Sequence, residues 1–448
     1  MKKFIESISN VWKIEELKNR ILITLGLLLV YRFGAQVTLP GIDATQLANL
    51  AGQTKEGIGS ILDMFTGGAF SQASVFALGI MPYISASIVV QLMGIAIPYL
   101  QKLQSDGESG RKKINQITRW LTIVITLVQG PTYIYNLYRT LPSSAFLLGF
   151  NSFEFLFSSV VILVTGTIFA MWLGEKITDK GIGNGISLLI MVGILARFPQ
   201  AFIQEFTTRV TNNNGGPMLL VIEIIIWLLV IIACVLLTMA IRKIPVQYAR
   251  RTASGDYEQD MLGGNRQWIP LKLNASGVMP IIFAQAIMFV PAAVAGLSKS
   301  DASQSIVGAF SNMFGFWYNL VFATLIVIFT YFYTAITVPT NKMSDDLKRS
   351  GGFIPGVRPG AETSDFLDKV MSLITFPGSL FLALIAVFPA IVVSLMDVQQ
   401  SWAMFFGGTS LIIMVGVAID TIQQINSYLL NKHYDGLMKT GKNRKAVA

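Results

Sequence analysis

Ten windows of this chain are long and apolar enough to cross a lipid bilayer. They fall near 21–38, 73–99, 116–138, 152–174, 184–204, 218–241, 275–297, 314–338, 370–396 and 403–429. A helix needs roughly 20 apolar residues to cross the hydrocarbon core. Lipid offers no hydrogen bonds, so the backbone must satisfy itself, and continuous apolar runs do this as helices. The fifth window is the weakest, because Arg197 interrupts it. The chain is 53% hydrophobic and 13% charged, where a soluble domain carries about 25% charged residues. The expectation is an all-α polytopic membrane protein with ten transmembrane helices.

The charges test that count. In alternate connections and at both ends lie 27 of the 34 Lys and Arg, against 4 in the remaining connections, with Arg32, Arg119 and Arg197 inside the windows. Such a bias marks the cytoplasmic side and places both termini there. Ten spans divide into five and five of opposite orientation, as in an inverted repeat, although no residue-level self-similarity is visible. The expected organisation is an amphipathic helix over 1–20, a first half over 21–206, a second half over 207–430 and a tail over 431–448. Phe4, Ile8, Val11 and Trp12 share one face of the first segment, which suits the membrane surface. No small-residue cleavage pattern follows the first apolar run. Two long cytoplasmic loops, 242–274 and 339–369, are basic and rich in Gly and Pro.

Chemistry is sparse. One cysteine, Cys234, and one histidine, His433, leave little for metal binding or His-based catalysis. The stretch Gly436–Asn443 lacks the Ser or Thr that holds magnesium in a phosphate loop, and Gly181–Ser187 lacks the last glycine of a dinucleotide fingerprint. No enzyme and no cofactor are expected. A solute transporter remains as an alternative and needs mid-membrane coupling groups. The spans offer Arg32, Arg197, Glu223 and Asp420, each readable as a structural pair. A second rival is an insertase without a through-pore.

One stretch is unusual: GSILDMFTGGAF, Gly59–Phe70, sets a half-length apolar segment and a double glycine before the second span. That span carries Pro82 and places Ile80, Ile84 and Ile88 four apart on one helical face. Prolines recur within spans at Pro131, Pro280, Pro291, Pro377 and Pro389, where kinks are tolerated beside neighbours or a cavity.

The stretch ILDMFTGGAFSQASVFALGIMPYISASI, with DKGIGNGISLLI, NASGVMPIIFAQ, GGFIPGVRPG and GGTSLII further along, resembles the SecY family, the central subunits of bacterial protein-translocation channels. The resemblance covers nearly the whole chain. It implies a channel for unfolded polypeptides in the bacterial cytoplasmic membrane. Gly59, Ser60, Ile61, Leu62, Asp63, Met64, Phe65, Thr66 and Gly67 would form a re-entrant plug helix. Ile80, Ile84, Ile190, Ile282 and Ile413 would form an aliphatic pore ring, which dewets when empty and does not hold a passing chain. Ile88 and Gln91 on span 2 would face Gln285 and Phe289 on span 7 across a lateral gate, with Val290 at a position often aromatic in the family. Arg358, fixed in a turn by Pro355–Gly360, would dock the SecA motor, and Arg242, Lys243, Arg250 and Arg251 would meet SecA or the ribosome. SecE and SecG are the implied membrane partners, signal sequences and translocating polypeptides the cargo, and the basic loops also suit anionic lipids.

Overall fold

The computed structural model describes residues 12, 14–43, 47, 63–142, 145–146, 152–211, 216–248, 266–285, 287–288 and 313–444. The N-terminal amphipathic segment lies mostly outside these. The helices are α1 (Glu15–Gly34), α2 (Met81–Ala96), α3 (Pro98–Ser105), α4 (Gly107–Thr140), α5 (Ser152–Lys180), α6 (Gly185–Val210), α7 (Gly216–Met239), α8 (Phe316–Thr337), α9 (Thr340–Arg349), α10 (Ala361–Met396), α11 (Gln400–Ala403) and α12 (Gly408–Arg444), with strands β1 (Ile241–Tyr248), β2 (Arg266–Lys272) and β3 (Gly352–Phe353). Among the described residues, six helical stretches are long and apolar enough to cross a membrane, and the bent pair α2–α3 makes a seventh if taken as one span. Helix α1 misses that measure because Lys18, Arg20 and Arg32 lie within it, and α4 because Thr, Gln, Tyr and Asn dilute its apolar part. The window at 275–297 is described only as far as 288.

The contacts divide the chain into two compact units. One comprises Met1–Asn212, Gln399–Trp402 and Val417–Ala448, the other Asn213–Val398 and Ala403–Gly416.

In the first unit, α4 packs on α2 and α5, α5 on α6, and α1 on α5 and α6. Thr118, Thr122 and Thr126 form a buried line on α4. Each hydroxyl donates to the carbonyl four residues back, at 3.0, 2.7 and 2.7 Å. Polar side chains thus sit in the interior with their hydrogen bonds satisfied. Arg119 on α4 meets Glu175 on α5 through two bonds of 3.0 and 2.5 Å. The Gly181–Ser187 stretch starts α6. Asn184 Oδ1 accepts from the N–H groups of Ile186 and Ser187, as an N-cap does, and Gln424 Oε1 accepts the Gly183 N–H at 2.8 Å.

The second apolar window departs from expectation. Its helix begins at Met81, and residues 66–80 run as turns. Pro82 lies in the first turn of α2 rather than mid-helix, where its missing N–H costs no intrahelical bond. The chain then bends by 104° between α2 and α3 at Pro98, which starts the second helix. Pro131, Pro377 and Pro389 do sit inside helices.

In the second unit, α8 packs along α10, and α7 also touches it. Met218, Ile222, Ile225, Leu229, Ile232 and Leu236 make an exposed stripe on α7, while Glu223, Val230, Cys234 and Leu237 are buried on the other side. An apolar stripe of this length facing outward suits lipid. The segments flanking α8 also join: β1 pairs antiparallel with β2 and with β3, in the order β2-β1-β3. Ile244 and Val246 alternate inward from β1 and pack with Leu271, Leu347, Ile354, Leu367 and Met371. This small core rests the sheet on α9 and the start of α10.

Candidate functional site: a seated turn and a projecting arginine

In the first unit, the segment before α2 is held by charge. Asp63–Phe65 form one helical turn, and the turn residues Thr66 to Ile80 follow. Gly67 and Gly68 have φ of 65° and 95°, a region costly for any residue with a Cβ. The Gly68 N–H donates to the Asp63 carbonyl at 2.8 Å, closing the turn. Asp63 Oδ1 accepts the Ser71 N–H at 2.8 Å. Its other carboxylate oxygen pairs with Arg197 Nη2. The same nitrogen donates to Ser71 Oγ at 2.7 Å, and Arg197 Nη1 donates to Gln200 Oε1 at 3.0 Å. Arg32, near the end of α1, donates to the Gly67 carbonyl at 2.8 Å. Two arginines on different helices therefore grip one short turn.

Apolar contacts complete the seat. The Tyr133 hydroxyl donates to the Phe70 carbonyl at 2.8 Å, and the two rings lie 4.9 Å apart. Phe76 stacks between Tyr31 and Phe169. The turn also abuts α6 at Gly193, where a Cβ would fall 2.7 Å from the Phe65 carbonyl oxygen. Ile190, Gly193 and Arg197 follow one another at helical spacing, so the α6 face that carries the expected ring residue also carries the turn.

Of the plug residues read from sequence, Asp63 to Gly67 belong to this seated turn, and Gly59, Ser60, Ile61 and Leu62 lie outside the described residues. Ile80, Ile190 and Ile413 are buried, and Ile84 and Ile282 half-buried, so none presents a fully exposed side chain. On α2, Ile88 is buried, and Gln91 Nε2 donates to Ser87 Oγ within the helix at 3.3 Å. Gln285 is buried in a helical run over 279–285, and Phe289 lies outside the described residues.

In the second unit, Arg242 and Lys243 are exposed on β1, opposite Leu271 and Pro270 of β2. Arg250 and Arg251 lie outside the described residues. Arg358 projects from the turn after β3, its side chain 87% exposed and 3.7 Å from Glu362. An exposed pair of that length holds it weakly. The loop beneath it is firm. Ser344 Oγ donates to the Gly360 carbonyl at 2.6 Å, and Thr363 Oγ1 donates to the Arg358 carbonyl at 2.8 Å. Ser364 Oγ bonds Asn341 at 2.6 Å, tying α10 to α9. Backbone and neighbours thus fix the base of a guanidinium that stays free to bind. Among the described residues, no group of three or more His, Cys, Asp or Glu is placed to hold a metal ion.

Sequence reasoning singled out Arg32 and Arg197 and placed Asp63 in the plug segment, but did not join Asp63 to Arg197. The signal was available: an arginine in an apolar window calls for a counter-charge, and Asp63 is an acid inside the half-length apolar stretch.

The family model for SecY matches residues 74–422. A Protein translocase subunit SecY from Haemophilus influenzae is 41% identical over 95% of this chain and 94% of its own. One from Thermotoga maritima is 38% identical over 98% and 99%. Among solved structures, the SecY whose plug domain stabilises the closed state of the translocation channel covers 92% of each chain at TM-score 0.59 and 17% identity. Sec61 of the canine ribosome–channel complex covers 92% of each at TM-score 0.51 and 17% identity.

Proposed function

The chain belongs to the SecY family, and from that premise we infer that it is a protein-conducting channel subunit of the translocase. It is a multi-pass membrane protein and not an enzyme. The observation that carries this is a family likeness running almost end to end.

The finer reading follows the geometry. The pathway is a passive conduit for unfolded secretory polypeptides across the bacterial cytoplasmic membrane, with release of transmembrane segments sideways into lipid. Ten spans, both termini cytoplasmic, are supported by the charge alternation. Ile80, Ile84, Ile190, Ile282 and Ile413 form its waist; that none of the five is exposed supports this reading. The segment 59–67 closes it as a plug. Gln91 and Gln285 are the polar contacts of the lateral gate. Arg358, with Arg242 and Lys243, docks a SecA motor or a ribosome, and SecE and SecG complete the membrane complex. Energy comes from the docked partner. The alternative, a coupled solute transporter, would need mobile in-span charges; Arg32 and Arg197 are instead committed to the 63–71 turn.

The test is reconstitution with SecE and SecG. Uptake of a precursor protein into proteoliposomes that depends on SecA and ATP is the expected result. Motor-independent flux of a small solute, with no precursor uptake, would overturn the reading.

A further inference from the structure

We propose that Arg197 is a positioning residue whose ion pair with Asp63 clasps the closing segment in its seat and must part before the channel opens. The inference rests on the plug reading and adds what holds the plug.

Three observations carry it. First, the pair joins residues 134 apart in sequence, between a short turn and a long helix, so it ties the turn to the helix instead of bracing one element against itself. Second, the pair is shielded: side-chain exposures are 23% for Arg197 and 13% for Asp63. Partial removal from water strengthens the attraction and makes each partner costly to strand. Third, the grip is redundant in kind. Arg197 Nη2 also donates to Ser71 Oγ, and Arg32 donates to the Gly67 carbonyl. Every one of these bonds ends on the 63–71 turn, so moving the turn breaks them together.

Such an arrangement gives an all-or-none release. An apolar seat alone would let the turn slide by degrees, because hydrophobic contact is non-directional. A charge pair with two further directional bonds has one geometry, and its loss exposes a cation on α6 and an acid on the departing segment. An entering polypeptide that displaces the turn must offer enough contact to outweigh that loss, which sets a threshold for opening.

The test compares resting ion conductance of the reconstituted complex in planar bilayers, without motor or substrate. Arg197→Gln and Asp63→Asn should each raise resting open probability by about tenfold or more, the change expected from breaking one shielded charge pair. Arg197→Lys keeps the cation but loses the fork that reaches Asp63, Ser71 and Gln200 together, so it should leak clearly less than Arg197→Gln without matching wild type. A deletion of 59–67 removes Asp63, so adding Arg197→Gln to it should change nothing further. If the deletion leaks while Arg197→Gln and Asp63→Asn remain quiet, the clasp is overturned and the plug stands. A quiet deletion overturns the plug and the clasp with it. Equal leak from Arg197→Lys and Arg197→Gln also overturns the proposal, since charge would then not be what holds the segment. Should Arg197→Gln fail to assemble, the isosteric Asp63→Asn decides alone.

Discussion

Gly67 and Gly193 meet backbone to backbone. A Cβ on Gly67 would fall 2.7 Å from the Gly193 Cα, and one on Gly193 would fall 2.7 Å from the Phe65 carbonyl oxygen. Neither residue can carry a side chain without moving the turn off α6. At Gly67 the left-handed φ of 65° adds a second penalty, about 1–2 kcal/mol for an L-residue.

Gly193→Ala therefore tests the seat without touching a charge. Overpacking at a tight contact costs about 1–3 kcal/mol. The expected outcome is a raised resting conductance in bilayers, with precursor uptake retained. An unaltered resting conductance would mean that this contact does not hold the closed state.

The far end of α6 offers a separate test of stability. Glu205 and Arg209 are both buried and joined at 2.7 Å, and Glu205 Oε2 also accepts the Gln399 N–H at 3.0 Å. Arg209→Met strands a buried carboxylate, and such losses cost about 3–5 kcal/mol. The unfolding midpoint of the detergent-solubilised complex should drop clearly. Adding Glu205→Gln removes the stranded charge yet keeps an acceptor for Gln399, so the double variant should recover much of the loss. A double variant as unstable as the single one would argue against charge burial as the cause.

For the ring, Ile84→Asn or Ile413→Asn should loosen signal selectivity. If these residues line the proposed waist, a polar side chain there would wet it and lower the barrier against opening. The readout is export of a precursor with a defective signal sequence, which should rise. Rejection as strict as in the wild type would remove these residues from the pathway.

At the projecting loop, Arg358→Glu should abolish SecA-driven uptake while leaving the fold intact. The loop is held through the Gly360 and Arg358 carbonyls and through Ser364, none of which needs the guanidinium. Circular dichroism and complex assembly should match wild type. Normal export by this variant would leave Arg358 as a topology charge only.

These residues show how far the sequence could be read. The lipid class follows from run length and alternating charge, because both are set locally along the chain. The Arg358 turn was legible for the same reason: Pro355, Gly356, Pro359 and Gly360 impose it on the spot. The Asp63–Arg197 pair was not, since a contact across 134 positions leaves no periodicity. The short helix α2 was misread as a longer span because turns rich in Ala, Phe and Leu over 69–80 are as apolar as the helix they precede. The sheet was hidden too. Ile244 and Val246 give two steps of alternation on β1, too few to distinguish a strand from a loop.

That sheet carries a mechanical consequence. Strand β1 is gripped on one edge by β2 and on the other by β3, so the two flanking loops behave as a single splinted handle. Load applied at the Arg358 tip is shared by the strand that bears Arg242 and Lys243, and it runs through Leu367 and Met371 into the shaft of α10. A motor leaning on either loop leans on both.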